Sequence, residues 1–365
     1  MWLGILSGLY AVPALLSLAA SLWQTASSVR RGRLWSAFAW LSLAGVILTG
    51  RWWVRLLRRP SPDEPKALRP DKRGTAIGAG GVRLEWEQFG SDDAPALLLT
   101  HGWSLSQETW YYQKALSEEL RVIVWDLRGT DRSAAPADRD YSFAAMTADL
   151  AAVFTASEAG RHPKGCVLAG HSVGAMLLPL FAAAYPALSA SVRGLVLLVG
   201  TDTPMLRTMR GRRVLTSMRF WFWEPLARFM AFAPALFEAF VKLVYQMGCV
   251  HLALMVGTNR GQESRGQNDL VARHCAEFSM RAAGLGALAC FAFDVRALLP
   301  QIGVPTLVVT GDGDINTPPD IQGAMAQRLP QSELVLVENC GHLSLLECHA
   351  EVNARLQDFA RRCLG

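Results

Sequence analysis

The sequence is poor in the features that build disulfide scaffolds and metal sites. Its seven cysteines are scattered along 365 residues, are odd in number and include no Cys-x-x-Cys pair. We therefore expect no disulfide framework, no metal site and no cofactor, with free thiols that suit a reducing compartment. There is also no internal repeat and no low-complexity tract. This length allows one large domain or two ordinary ones.

Charge is absent from the apolar stretch between Trp2 and Trp23, and again between Leu34 and Gly50. Each stretch is close to the length that crosses a hydrocarbon core of about 30 Å, and tryptophans stand near its ends. We expect residues 1–59 to form a membrane hairpin of two transmembrane helices. A cleaved signal peptide or a pair of buried core helices is the alternative, although the N-terminus lacks the positive charge of a signal peptide.

The basic residues around the second stretch bear on membrane orientation. Four arginines follow it closely, namely Arg51, Arg55, Arg58 and Arg59. A hairpin leaves both termini on one side, so the positive-inside rule favours the cytoplasmic face for the domain that follows. Three arginines in the connection at 30–33 weaken this expectation, and Pro13 could instead kink the first segment into a re-entrant hairpin. Residues 60–74 are rich in proline and polar residues, and we interpret them as an extended linker.

From residue 75 the sequence alternates between short apolar runs and helical stretches. The runs are Val82–Phe89, Ala96–Thr100, Arg121–Trp125, Cys166–Ala169, Leu195–Val199, Thr306–Thr310 and Glu333–Val337. Such runs are typical of buried parallel strands, and the intervening helices would cover both faces of the sheet. We expect an α/β core from residues 75–202 and 301–365, with a helical cap inserted at 203–300.

Three residue types with catalytic chemistry follow three of these runs. Ser172 lies within Gly170-His171-Ser172-Val173-Gly174, the G-x-S-x-G pattern of a sharp turn between a strand and a helix. Asp314 follows the run that ends at Thr310, and His342 follows the last run. Because parallel strands end at one edge of a sheet, a serine, an acid and a histidine should emerge at that edge.

In this order the motifs resemble those of the α/β-hydrolase superfamily, specifically serine esterases and lipases of the monoacylglycerol-lipase type. The matching segments are His101-Gly102-Trp103, Asp126 to Ser133, Gly170 to Gly174, Val304 to Asp314, and Gly341-His342. The resemblance implies a mostly parallel eight-stranded sheet with helices on both faces and a helical cap. One departure is Asp131, where the family usually has glycine.

The resemblance also implies roles for individual residues. Ser172 would be the nucleophile, His342 the general base and Asp314 the acid that orients it. Two other aspartates stay open as the acid: Asp312 in the same turn, and Asp202 after the preceding strand.

Two backbone N–H groups, those of Trp103 and Val173, would form the oxyanion hole. We interpret His101 as a structural brace of the oxyanion loop. His171 fills a permissive position of the turn, and Glu347 could support the histidine loop.

The composition of the expected cap indicates the class of substrate. It is rich in aromatic residues, as in Phe220-Trp221-Phe222-Trp223, and arginines are interleaved with them. This pattern favours a surface that meets anionic headgroups and admits an apolar substrate, although part of it must pack on the core. We expect a membrane-anchored serine hydrolase of lipid-like carboxylic esters, with no nucleic-acid partner. Thioester hydrolysis or acyl transfer through the same triad, or a non-catalytic membrane-bound binding protein, are the alternatives.

Overall fold

The structure is a computed structural model that describes residues 2–257 and 263–365. Its strands are β1 (Lys72–Ile77), β2 (Arg83–Phe89), β3 (Ala96–Thr100), β4 (Arg121–Trp125), β5 (Cys166–His171), β6 (Val192–Leu198), β7 (Thr306–Gly311) and β8 (Ser332–Val337). They form one sheet in the order β1-β2-β4-β3-β5-β6-β7-β8. β2 is antiparallel to β1 and β4, and every other neighbouring pair is parallel. The sheet is therefore mixed, with a parallel majority.

Helices alternate with the strands along the chain and also form its N-terminal part. They are α1 (Trp2–Arg30), α2 (Leu34–Leu48), α3 (Gly50–Arg55), α4 (Phe143–Ala156), α5 (Val173–Ala184), α6 (Pro186–Ser189), α7 (Arg212–Ser217), α8 (Glu224–Phe232), α9 (Pro234–Gln246), α10 (Cys249–Gly257), α11 (Arg265–Glu277), α12 (Met280–Ala292), α13 (Pro319–Ala326), α14 (Ser344–Glu347) and α15 (His349–Leu364). Short 3₁₀ segments and one π-helical turn, Arg219–Trp223, complete the described elements.

The central strands position the chemistry. Every residue of β3, β4 and β5 is buried, as expected of parallel strands covered on both faces. β3 and β5 are direct neighbours in register, with Thr100 opposite Gly170. The segments that leave these two strands, which carry Trp103 and Ser172, therefore start side by side at the same edge of the sheet.

The apolar pattern of the sequence did not predict strand β1. It begins at Lys72, inside the segment 60–74 that was expected to be a linker. β1 is an edge strand, and Ala76 is its one buried residue. An edge strand that is mostly exposed needs no apolar run, so its hydrogen bonds to β2 rather than its side chains define it.

The two N-terminal apolar stretches form α1 and α2, which pack against each other around a turn after Arg30. α2 ends at Leu48 after 15 residues, a length of about 22 Å. Within residues 2–257 and 263–365, no single helix combines the length and hydropathy of a membrane span. The bent pair Pro234–Gln246 and Cys249–Val256, with 77° between its helices, meets that requirement together.

The chain divides into two compact units. The first contains Met1–Glu64 and Ala235–Glu277, and the second contains Pro65–Pro234 and Phe278–Gly365. The segment expected to be one cap at 203–300 is thus shared between them. In the first unit α10 packs on α1, α3 and α11, and in the second α8 packs on α12. The second unit holds the sheet and all the candidate catalytic residues.

Candidate active site

Ser172 occupies a strained turn between β5 and α5. Its backbone has φ 52° and ψ −115°, a conformation that costs a non-glycine residue on the order of 1–3 kcal/mol. The flanking glycines allow the turn: a Cβ on Gly170 would lie 2.4 Å from the backbone of Gly174, and one on Gly174 would lie 2.2 Å from the carbonyl oxygen of Thr100. The two glycines therefore permit the close backbone approach that exposes the serine at the end of β5.

The structure brings Ser172, His342 and Asp314 together in one hydrogen-bonded chain. His342 Nε2 lies 3.1 Å from Ser172 Oγ, and its Nδ1 lies 2.8 Å from Asp314 Oδ2. The Asp314 side chain is fully buried, and that of His342 is 13% exposed. With the proton on Nδ1, the imidazole donates to the carboxylate and presents a free lone pair to the serine hydroxyl. This is the arrangement that makes a serine hydroxyl nucleophilic.

Asp314 is held by several donors besides the histidine. Its Oδ1 accepts the backbone N–H groups of Asn316 at 2.7 Å and Thr317 at 3.0 Å, and the Thr317 hydroxyl donates to Oδ2. Burial alone would raise the pKa of this carboxyl. The neighbouring His342 and the hydrogen bonds from His342 and Thr317 outweigh burial, so the pKa of Asp314 lies below its usual value. The carboxylate thus stays ionised beside the imidazole.

The two other candidate acids have different partners. Asp312 accepts the backbone N–H of Cys340 at 3.0 Å. Asp202 forms an ion pair with Arg328 at 2.9 Å, and burial raises the pKa of its carboxyl despite that arginine. Of the three aspartates weighed from the sequence, Asp314 is the one hydrogen-bonded to His342.

The expected oxyanion loop lies beside the serine. Val173 is the first residue of α5, where backbone N–H groups have no partner within the helix. His101 braces the loop: its Nδ1 lies 2.8 Å from the carbonyl oxygen of Gly102, and its Nε2 accepts the backbone N–H of Leu127 at 3.0 Å. These two bonds fix a neutral imidazole under the loop that carries Trp103.

The indole of Trp103 packs against other residues of the second unit. It packs edge-on against Tyr141 and Phe278, with ring centroids 5.8 and 5.3 Å apart. A Cβ built on Gly286 of α12 would lie 2.1 Å from the indole, so this glycine lets the ring lie directly on the helix. These contacts fix the indole and, with it, the loop that carries Trp103.

The family model described as the alpha/beta hydrolase family matches residues 97–355, more than half of the chain. The chain belongs to this family. The protein named "Putative carbamate hydrolase RutD" from Variovorax paradoxus is 31% identical over 76% of this chain and 96% of its own length. The pimeloyl-[acyl-carrier protein] methyl ester esterase of Nitrosospira multiformis is 27% identical over 77% of this chain and its whole length. The chain is therefore an enzyme, an esterase-type hydrolase.

A solved structure shares the fold over a larger part of the chain. The crystal structure of a membrane phospholipase A, described as a bacterial virulence factor, superposes with a TM-score of 0.62. It covers 90% of this chain and 97% of its own, at 21% identity. Identity at this level shows a common α/β-hydrolase fold.

The departure from the family motif at Asp131 has a visible consequence. Asp131 has φ 40°, in the left-handed region that favours glycine. Aspartate tolerates this region better than most residues. The turn after β4 therefore keeps the conformation that a glycine would adopt, with some strain in the backbone.

The loop that carries His342 is supported by side chains. The Glu347 carboxylate accepts the backbone N–H of Gly341 at 3.2 Å and that of Leu343 at 3.1 Å, on either side of the histidine. His171 lies 2.8 Å, through Nε2, from the backbone carbonyl of His342. The sequence pointed to Glu347 as a possible support, but the role of His171 was missed. The one available signal was its position next to Ser172.

Within the described residues, no group of three or more histidine, cysteine, aspartate or glutamate side chains could hold a metal ion. Ser172, His342 and Asp314 are hydrogen-bonded to one another. What the arrangement offers is a nucleophile, a general base and backbone N–H groups at the start of a helix.

Proposed function

We propose that this enzyme is a membrane-anchored serine hydrolase that cleaves carboxylic esters of lipid-like substrates through an acyl-enzyme on Ser172. The observation that carries the catalytic part is the hydrogen-bonded chain from Ser172 through His342 to Asp314. Esters are favoured over thioesters by the relative named as a methyl ester esterase. Acyl transfer would use the same acyl-enzyme with an alcohol in place of water.

The reaction follows from the geometry. His342 Nε2 takes the proton of Ser172 Oγ as that oxygen attacks the ester carbonyl. The backbone N–H groups of Trp103 and Val173 donate to the developing oxyanion, and one such donor is typically worth about 3 kcal/mol. The intermediate collapses when the protonated His342 gives its proton to the departing alcohol. Water then attacks the acyl-enzyme with His342 again as base, which releases the carboxylic acid and restores Ser172.

Asp314 has a separate role in these reaction steps. Because its carboxylate remains ionised, it stabilises the imidazolium that forms twice in each cycle. It also fixes the proton of the resting imidazole on Nδ1, so that Nε2 faces the serine. An uncharged side chain of the same shape would allow the other tautomer.

Exposed apolar side chains on α1 and α2 support membrane anchoring by the N-terminal hairpin. Trp23 is 61% exposed and Trp35 is 88% exposed, on either side of the turn between the helices. Side chains of this kind are stable at the boundary between lipid and water, because the ring is apolar and the indole N–H is polar. The arginines that follow α2 favour a catalytic domain on the cytoplasmic face.

A second apolar surface lies in the part of the cap that belongs to the catalytic unit. Phe220 is 73% exposed, Trp221 66% and Phe232 84%. The exposed arginines Arg212 and Arg228, which lie in the flanking helices α7 and α8, form surface ion pairs with Asp320 and Glu224. We infer that this aromatic and basic surface rests on anionic headgroups, since buried apolar area and electrostatic attraction add in interfacial binding.

The catalytic proposal is tested with a fluorophosphonate probe and a panel of acyl esters of graded chain length, on the full chain in detergent. We expect probe labelling, and the highest kcat/KM on long-chain esters. Ser172→Ala should abolish both, whereas Ser332→Ala, at the opposite end of the sheet, should change neither. Labelling that survives in Ser172→Ala contradicts the proposed nucleophile. Activity confined to short soluble esters contradicts the lipid substrate and leaves the mechanism intact.

The membrane proposal is tested by flotation with vesicles of zwitterionic lipid and of zwitterionic lipid containing an anionic phospholipid. Replacing Phe220, Trp221 and Phe232 with serine should lower hydrolysis of vesicle-borne esters while activity on a soluble ester is kept. A matched control replaces the exposed Leu334 and Leu336 of β8 with serine, and should change neither. Failure of the full chain to float with either vesicle contradicts the proposed anchor.

A further inference from the structure

The general base sits on a loop that has no regular secondary structure of its own. His342 lies between the end of β8 and the start of α14. In such a segment the backbone polar groups must find other partners. Several of these partners are side chains: Asp312 accepts the N–H of Cys340, Glu347 accepts those on either side of His342, and His171 binds the carbonyl of His342 itself.

His171 differs from the other two because it also belongs to the nucleophile's turn. It is the last residue of β5 and is bonded covalently to Ser172. Its Nε2 reaches the carbonyl of His342 at 2.8 Å, while the base reaches Ser172 Oγ at 3.1 Å. Ser172 and His342 are thus linked twice, once directly by their own hydrogen bond and once through His171. A displacement of the histidine loop away from the serine strains the hydrogen bond from His171 as well.

The protonation of His171 is set by its surroundings. Since Nε2 faces a carbonyl oxygen, it must carry the proton, and Nδ1 keeps its lone pair. A Cβ on Gly102 would lie 2.6 Å from this Nδ1, so the ring fits closely under the oxyanion loop. Burial lowers the pKa of His171 to about 3, and the nearby His342 lowers it as well. The ring therefore stays neutral and adds no positive charge next to the imidazolium that forms on His342.

We propose that His171 is a positioning residue of the hydrolytic reaction, which holds the backbone of His342 at the distance from Ser172 that proton transfer requires. This inference rests on the proposed function, since it gives His171 a role through the triad. His171 does not touch the substrate and takes no proton in the cycle. Its contribution is to keep the base from moving away when the loop fluctuates.

The test compares His171→Leu, which removes the donor, with His171→Gln, whose amide N–H can reach the same carbonyl. We expect His171→Leu to lower kcat by on the order of tenfold to a hundredfold at an unchanged KM, since small misplacements of catalytic groups have effects of this size. His171→Gln should recover most of that loss. His162→Gln, in the turn before β5, serves as a matched control and should behave as wild type.

The outcomes separate this inference from the proposed function. Wild-type protein that neither hydrolyses esters nor reacts with the fluorophosphonate probe contradicts the proposed function. Active wild type with full kcat in His171→Leu contradicts the positioning role alone. A folding defect in His171→Leu leaves the Gln variant as the test. A Gln variant that folds and yet loses kcat by tenfold or more contradicts a role limited to the hydrogen bond.

Discussion

The buried, neutral His171 should make the folded protein sensitive to acid in a way that can be measured. Burial first, and then the electrostatic effect of the neighbouring His342, lower the pKa of this imidazole to about 3, against the raising effects of the hydrogen bond to the His342 carbonyl and of the Asp314 carboxylate. In the unfolded chain the same group titrates near 6.5. Below pH 6.5 the unfolded state therefore binds a proton that the native state does not bind, and the free energy of unfolding falls as the pH is lowered.

The magnitude follows from the two pKa values. Each pH unit between them costs about 1.4 kcal/mol for one proton. Between pH 7 and pH 4.5, His171 alone should lower the free energy of unfolding by about 2–3 kcal/mol. The decrease starts as the pH falls through 6.5 and levels off near 3, since below that pH the native imidazole is protonated too.

The assay compares wild type with His171→Gln in detergent. Denaturant unfolding is followed by tryptophan fluorescence at several pH values between 7.5 and 4.5. The Gln variant has no titrating group at this position, so its free energy of unfolding should fall less over the range, by about 2–3 kcal/mol less than that of wild type. Equal slopes for wild type and His171→Gln would refute the reasoning, whatever the difference in stability at pH 7.

Three further substitutions test other parts of the site. Gly286→Ala places a Cβ 2.1 Å from the indole of Trp103, and we expect a loss of about 1–3 kcal/mol in stability and a lower kcat. The control is Gly303→Ala, where the new Cβ meets nothing within 4 Å. An unchanged kcat in Gly286→Ala contradicts the anchored loop. Asp131→Gly should raise the free energy of unfolding by up to about 1 kcal/mol, because glycine adopts φ 40° without strain; a decrease in denaturant unfolding experiments counts against that strain. Glu347→Gln puts an amide where two backbone N–H groups now meet a carboxylate, so kcat should fall by about tenfold, and a wild-type kcat would show that this support is dispensable.

The sequence was most informative where a local pattern fixes both backbone and chemistry. The apolar run before Gly170 predicted β5, and the glycines around Ser172 predicted the tight turn, since both features leave a pattern in consecutive residues. The strand ends then placed Ser172, Asp314 and His342 at one edge of a parallel sheet, and the structure brings the three together. The catalytic roles of these residues stay a prediction until the proposed experiments are done.

The parts that were missed depend on partners far apart in the sequence. β1 has almost no buried side chains, so no apolar run marked it. The grouping of 235–277 with the N-terminal residues could not be predicted, since an apolar helix pattern does not say which other helix will cover it. The hydrogen bond from His171 to the carbonyl of His342 joins residues 171 positions apart, and no local sequence pattern predicts it.

The measurement that tests the central claim most directly is the identity of the acylated residue. The full chain is mixed with excess p-nitrophenyl ester of a long-chain acid, quenched in acid within the first turnover, digested and analysed by peptide mass spectrometry. We predict a burst of p-nitrophenol close to one equivalent per enzyme, with the acyl mass on the peptide that contains Ser172. An acyl group on another residue, or hydrolysis with no acylated peptide and no burst, would contradict the proposed mechanism.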